Sequence, residues 1–238
     1  RYIEIAWNHL ASKHHFHPVV DYLNALVWDK KDHIEELSAY FPDEENLFKI
    51  YFTRWLIAAV RKVLGDPRGQ QNRMFVLDGA QNIGKSFFAR WLARGIPSYH
   101  IEISIDTEDK DSYVRLITNW IWEVSELGST FGKSELSALK SFLVRENVKV
   151  RRSYGRFDTN KPPMANFIGS INNDGAGFLM DPTGNRRYMV VTLKGINWDY
   201  AKIIDPNQLW AQAVELFKAG EPADLTKEEY ALADISNS

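Results

Sequence analysis

The residues with the clearest chemistry form one short stretch with the spacing Gly-x4-Gly-Lys-Ser. This stretch follows an apolar run, 74–78, and precedes a segment with helical character, so it would close a strand and open a helix. That context distinguishes a phosphate-binding loop from an ordinary glycine-rich turn. We predict that a nucleoside triphosphate is bound by Gly79, Ala80, Gln81, Asn82, Ile83, Gly84, Lys85, Ser86 and Phe87.

Each residue type in this loop has a physical role. Gly79 and Gly84 permit a tight turn in which successive N–H groups point at an anion. Lys85 can reach the β- and γ-phosphates, and the Ser86 hydroxyl can ligate Mg²⁺. Asn82 tolerates the positive φ that a strained loop position requires. The helix that follows directs its positive end at the same phosphates, so we expect ATP and Mg²⁺ as ligands.

Hydrolysis also requires an acid near the metal ion and the attacking water. The apolar segment 119–124 is predicted to be a strand with acids at its end. We predict that Glu123 holds Mg²⁺, directly or through Ser86, and that Glu126 orients or deprotonates water. The two acids could exchange these roles. A strand that simply leads into a helix-capping acid would have the same pattern.

Two later segments supply further candidates. The predicted strand 165–171 delivers Asn172, whose amide could position the lytic water or sense the γ-phosphate, although turns also favour asparagine. Arg186 and Arg187 follow a turn and precede another predicted strand. Two such arginines are compatible with a solvated surface. They also match an arginine finger, a permanently charged side chain that reaches the γ-phosphate of a neighbouring subunit.

Residues 145–161 form a basic segment between the acidic strand and the strand that leads to Asn172. Basic side chains that follow a backbone, with aromatic rings for stacking, are typical of single-stranded DNA binding. A solvated charged hairpin is the alternative, and the alternation in 148–151 favours a hairpin strand in either case. The predicted DNA-binding residues are Lys149, Arg151, Arg152, Tyr154 and Arg156.

The elements that must position these residues fall into three parts. Residues 1–68 are predicted to be an all-helical N-terminal region, with helices over 21–28, 34–40 and 44–64. From residue 69 to 220, short apolar strands alternate with helices, which predicts an α/β domain with a mostly parallel sheet flanked by helices. Residues 221–238 are polar and are predicted to be a peripheral tail.

Composition excludes several classes of protein. The 238 residues contain no cysteine, so disulfides, Cys-ligated zinc and thiol catalysis are excluded. There is no apolar run of about eighteen residues, so we expect no membrane span. The formal net charge is only −2, so any affinity for DNA must come from the basic segment rather than from the total. The chain begins at Arg1, and we expect it to be part of a longer protein.

Taken in order, these motifs resemble the virulence-associated E (VirE-like) family of P-loop proteins, which are related to superfamily 3 helicases and AAA+ ATPases. In the helical region the resemblance rests on segments 16–23, 26–29 and 55–60. In the later region it rests on segments 79–86, 120–127, 139–143, 152–156, 167–172 and 178–187. The phosphate loop is the one decisive string, and the ordered set is specific.

The resemblance implies an AAA+-like fold and an ATP-driven DNA helicase in phage, plasmid or mobile-element replication. It implies a homo-oligomer in the form of a hexameric ring, with single-stranded or forked DNA as partner and a primase-polymerase domain on the same polypeptide. It also implies the cytosol of a bacterial or phage-infected host. Lys85 and Ser86 would be the Walker A residues, Glu123 the Walker B acid and Asn172 the sensor, with Arg186 or Arg187 as the finger.

The sequence departs from the family pattern at three positions, and two other functions are open. Asn82 replaces a usual glycine, and His33 and Met164 stand where arginine is common. One alternative function is a nucleotide-gated DNA-binding module that assembles without unwinding. The other is a P-loop phosphotransferase, which would need an acceptor pocket and a mobile lid.

Overall fold

A computed structural model describes residues 17–65, 73–125, 127, 133–150, 159–172 and 187–236. The described N-terminal residues are helical, as predicted, but the bounds of all three helices differ from the prediction, most strongly for the first and third. The helices are α1 (Pro18–Ala25), α2 (His33–Ser38) and α3 (Phe48–Leu64). Helix α1 begins earlier because Pro18 suits a first helical position and His17 caps the N–H of Val20. Helix α3 begins later because the Asp43 carboxylate accepts hydrogen bonds from the N–H groups of residues 47 and 48.

Helix α3 is buried on most of its surface, because apolar residues occupy most of its positions. This helix contacts the sheet as well as the other N-terminal helices. The Trp55 indole donates to the carbonyl of Phe167 at 2.8 Å, and the Trp120 indole donates to the carbonyl of Ala59 at 2.9 Å. Both bonds satisfy buried polar groups inside an aromatic core. The helical region therefore covers one face of the sheet directly.

The central sheet has five parallel strands, and it confirms the predicted α/β architecture. The strands are β1 (Met74–Gly79), β2 (His100–Glu102), β3 (Ile121–Val124), β6 (Asn166–Asn172) and β7 (Tyr188–Thr192). Their order across the sheet is β2-β3-β6-β1-β7, so β1 lies between β6 and β7. The helices that alternate with the strands are α4 (Lys85–Leu92), α5 (Lys110–Thr118) and α6 (Lys133–Leu143). All carboxyl ends of the strands therefore meet at one edge, where the phosphate loop begins.

A separate hairpin lies between β3 and β6 in the chain. Strand β4 (Val148–Val150) pairs with β5 (Thr159–Lys161) in antiparallel register, with Lys149 opposite Asn160. Val148 is buried in an apolar cluster with Leu116, Phe142 and Phe167, while Lys149 is exposed. This alternation confirms the hairpin strand predicted for the start of the basic segment.

The C-terminal part comprises α7 (Tyr200–Ile203), α8 (Pro206–Lys218) and α9 (Lys227–Ser236). The Arg54 guanidinium on α3 donates to both oxygens of Glu229 on α9 and to the carbonyl of Pro222 at 2.8 Å. Arg54 is a largely buried cation with a paired carboxylate, which is the arrangement that a buried charge requires. The segment predicted to be a peripheral tail is thus attached to α3 through this pair.

Lys62 on α3 predicts a specific pH dependence of stability. Its Nζ donates to the carbonyl of Ala165 at 2.5 Å, and burial lowers its pKa to about 7 from 10.5. Between these two values the unfolded chain binds a proton that the folded chain lacks, so the unfolding free energy rises with pH. Relative to a Lys62→Met variant, we expect the wild type to gain about 2 kcal/mol between pH 7 and pH 9. Urea unfolding of both proteins at the two pH values measures this difference, and parallel pH profiles would contradict it.

None of the helices in the described part of the chain combines the length and the apolar character that crossing a membrane requires.

Candidate phosphate-binding site

The loop between β1 and α4 has the conformation that its residue types predict. Asn82 has φ of 64° and Gly84 has φ of 106°, so both occupy the left-handed region. The prediction for Asn82 is confirmed, and its amide side chain makes this region accessible without glycine. Helix α4 begins directly after Gly84, so its free N–H groups face the loop. The sequence therefore builds, at the carboxyl end of β1, a turn with the backbone conformation that anion-binding loops use.

Lys85 is the best-defined side chain of this site. Its Nζ donates to the carbonyls of Gly79 and Ala80, each at 2.8 Å, and to Oδ1 of Asn172 at 3.2 Å. Burial lowers the pKa of this ammonium, and the charge of nearby Asp78 partly opposes the change. A cation held by neutral acceptors in a buried position is well placed to exchange them for phosphate oxygens.

The contact with Asn172 depends on the register of two neighbouring strands. The Cα of Asn172 on β6 is paired with that of Gly79 on β1, so both residues lie at the carboxyl edge. The structure therefore brings together Lys85 and the predicted sensor residue, which are far apart in sequence. Whether Asn172 senses the γ-phosphate stays a prediction.

Glu123 lies deeper in the sheet than the phosphate loop. Its Cα is paired with that of Ile168, which is level with Phe75 on β1. Gly79 is four residues further along β1, or about 13 Å at 3.3 Å per residue. The Glu123 side chain is 2% exposed, and neither carboxylate oxygen has a hydrogen-bond partner among the described residues. Its role as a metal ligand stays a prediction, and Glu126 lies outside the described residues.

His100 is a neighbour of Glu123 that sequence reasoning missed. Its Nε2 lies 3.3 Å from a Glu123 carboxylate oxygen, and both side chains are largely buried. The contact arises because β2 and β3 are adjacent and parallel, with Glu102 level with Glu123. A histidine in the short partly apolar segment 99–103, which precedes the acidic strand in the sequence, was the available signal.

Arg187 lies at the opposite end of the sheet from the phosphate loop. Its carbonyl accepts a hydrogen bond from the N–H of Met74 at 2.9 Å, beside the first residue of β1. The six residues from Met74 to Gly79 are separated by five steps along the strand, which span about 17 Å at about 3.3 Å per residue. Its Nε is buried and has no hydrogen-bond partner within the described residues. Arg187 is therefore remote from the phosphate loop of its own chain, while Arg186 lies outside the described residues.

Of the remaining predicted site residues, some lie within the described part of the chain and others lie outside it. Ser86 and Phe87 occupy the first turn of α4, directly after Lys85. Lys149 lies exposed on β4. The other predicted DNA-binding residues lie outside the part of the chain that the structure describes, namely Arg151, Arg152, Tyr154 and Arg156.

Solved structures with a similar fold include two of the NrS-1 C-terminal region. The A form apo structure of the NrS-1 C-terminal region matches with a TM-score of 0.57 and 14% sequence identity, over 91% of this chain and 54% of that chain. Another apo structure of the NrS-1 C-terminal region matches with a TM-score of 0.55 and 16% identity, over the same shares. The present chain thus spans about half the length of these two chains, and the likeness is one of fold. No curated protein matches the chain.

The family comparison covers nearly the whole sequence. The family described as the virulence-associated protein E-like domain matches residues 23–238, a range that includes the phosphate loop, Asn172 and Arg187. This match confirms the resemblance that the ordered motifs indicated. The chain therefore belongs to the virulence-associated protein E-like domain family.

Proposed function

We propose that this chain is the ATP-hydrolysing motor of a DNA helicase that acts in phage, plasmid or mobile-element replication. The observation that carries the proposal is the position of the Lys85 ammonium, which bridges the phosphate-loop carbonyls and Asn172. A lysine at this point can neutralise charge that develops on a transferred phosphoryl group. The neighbouring amide is then within reach of the same phosphate. Family membership and the parallel sheet support this assignment.

The residues present are compatible with Mg²⁺. The metal prefers oxygen ligands and is commonly held by one or two protein groups together with phosphate oxygens of the nucleotide. Ser86 supplies a hydroxyl in the first turn of α4. Glu123 lies beside His100 and four strand residues below the level of Gly79, so it would act on the metal only indirectly, and Glu126 is the second candidate acid. When bound, the metal would neutralise phosphate charge during hydrolysis.

We further propose that hydrolysis takes place between subunits. Arg187 is too distant from its own phosphate loop to contact it, as the hydrogen bond from Met74 to its carbonyl indicates. A finger on the opposite end of the sheet suits a head-to-tail ring, in which each subunit completes the site of the next. Arg186 is the alternative finger. We propose that such a ring contains six subunits, because the family resemblance implies a hexamer.

The basic segment is proposed to grip single-stranded DNA. Lys149 lies exposed on one strand of the β4–β5 hairpin, and further basic residues follow β4 in the sequence. Phosphate contacts from such residues would make binding strongly dependent on salt. A primase-polymerase domain on the same polypeptide and a cytosolic location are further parts of this proposal.

The proposed function is tested by measuring ATP hydrolysis and strand displacement with the full-length protein. We expect hydrolysis per subunit to rise with protein concentration, because sites form only between subunits, and to rise several-fold with single-stranded DNA. A forked duplex should be separated only when hydrolysable ATP is present. A rate of ATP hydrolysis per subunit that is independent of both protein concentration and single-stranded DNA would favour a phosphotransferase. DNA-dependent assembly without strand displacement would favour the non-unwinding module.

A further inference from the structure

Trp198 is an exposed aromatic residue next to the phosphate loop. It lies between β7 and α7, and 47% of its surface is exposed. The loop that carries it is fixed at several points. The N–H of Leu193 donates to the carbonyl of Asp78 at 2.8 Å, and the N–H of Asn197 donates to the carbonyl of Tyr40 at 2.9 Å. The backbone of the loop is thus anchored to β1 and to the helical region, and the indole that it carries is about half exposed.

The indole ring contacts the phosphate loop and the first turn of α4. A side chain at Gly84 would place its Cβ 2.5 Å from Cζ2 of Trp198, so the ring lies directly against this glycine. The Trp198 and Phe87 rings lie 5.1 Å apart between centroids, with planes inclined by 30°. Phe87 follows Lys85 and Ser86 immediately in the sequence. Two aromatic rings therefore flank the position where the phosphate loop becomes helix.

The order of the strands places this aromatic pair opposite the predicted sensor. Strand β1 lies between β6 and β7 in the sheet. Asn172 at the end of β6 contacts Lys85 on one side of the loop, and Trp198 follows β7 on the other side. A triphosphate that directs its terminal phosphate toward Lys85 and Asn172 would therefore direct its nucleoside toward Trp198.

We propose that Trp198, with Phe87 beside it, forms a stacking platform for the nucleobase of the bound nucleotide. This inference rests on the proposed nucleotide binding and names the part of the ligand that the phosphate loop does not contact. Aromatic side chains bind the face of a base by stacking, which is tolerant of base identity. The platform therefore adds affinity for a nucleoside over a bare phosphate chain, and it does not by itself select one base.

The test compares binding of ATP and of inorganic tripolyphosphate by the full-length protein, using calorimetry. Trp198→Ala is expected to weaken ATP binding about tenfold and to leave tripolyphosphate binding unchanged, because only ATP has a base to stack. Trp198→Phe should retain most of the ATP affinity. Ile203→Ala, an exposed apolar residue on α7, is the matched control and should bind both ligands as the wild type does.

Three outcomes would contradict the stacking role of Trp198 and would leave the proposed nucleotide binding unaffected. ATP affinity could be unchanged in Trp198→Ala. Both ligands could lose affinity equally, which would assign Trp198 to support of the loop at Gly84. Single-stranded DNA binding alone could weaken, which would assign the indole to DNA. A wild-type protein that binds neither ATP nor tripolyphosphate would overturn the proposed function and the platform together.

Discussion

Replacement of Lys85 by alanine is expected to reduce ATP turnover by at least about a hundredfold, the usual effect of removing one preorganised charge-stabilising group. The ammonium is held by the carbonyls of Gly79 and Ala80 and by Asn172, so its position is determined before any ligand arrives. Alanine removes both the charge and the side chain that spans the loop. Single-turnover phosphate release, measured with saturating ATP and Mg²⁺, reports the chemical step directly.

Two further variants show whether Lys85→Ala loses activity because the charge is missing or because the protein is misfolded. Lys85→Met retains an apolar side chain of similar length and should be as inactive as Lys85→Ala, because the missing feature is the charge. Lys218→Ala removes an exposed lysine that is paired with Glu215 at the end of α8, and it should keep full turnover. Turnover of Lys85→Met within about threefold of the wild type would contradict the role of the ammonium.

Replacement of Arg187 by alanine is expected to leave ATP binding intact and to lower turnover by about a thousandfold, as for other arginine fingers. Binding survives because the Arg187 carbonyl lies beside Met74, at the far end of β1 from the phosphate loop. Turnover fails because the neighbouring subunit loses the cation that stabilises its transition state. Arg186→Ala is the parallel variant, since either arginine could supply the finger. Full turnover in both variants would remove the finger from the mechanism.

A mixing experiment tests whether the arginine acts on a neighbouring subunit. Lys85→Ala and Arg187→Ala subunits are each expected to be inactive alone. In a random equal mixture, about a quarter of the interfaces combine an intact loop with an intact finger, if assembly is head-to-tail. Activity should therefore recover to about that share of the wild type. A mixture as inactive as its components would contradict catalysis between subunits.

The helices, the strands and the phosphate loop could all be predicted because their signals are local. Strand β1, the loop and α4 are adjacent in sequence, and Asn82 and the glycines define the turn by their own backbone preferences. The bounds of α1 and α3 were less accurate. Their ends are set by individual capping contacts of His17 and Asp43, which compete with the apolar periodicity.

The composition of the site was harder to predict because it depends on contacts between distant segments. Glu123 was identified as a strand acid, but its depth below the loop and its contact with His100 follow from strand register. Trp198 belongs to a loop with no recognisable motif of its own. It contacts Gly84 only because β7 pairs with β1.

The sequence alone determined the fold class, the family and the conformation of the loop after β1, because apolar periodicity and turn chemistry act over a few neighbouring residues. The tertiary structure decided three further points. It placed Asn172 within hydrogen-bonding distance of Lys85, Trp198 against Gly84, and Arg187 at the end of the sheet away from the loop. These positions follow from the order and register of β6, β1 and β7, which are set by packing between strands that are distant in sequence.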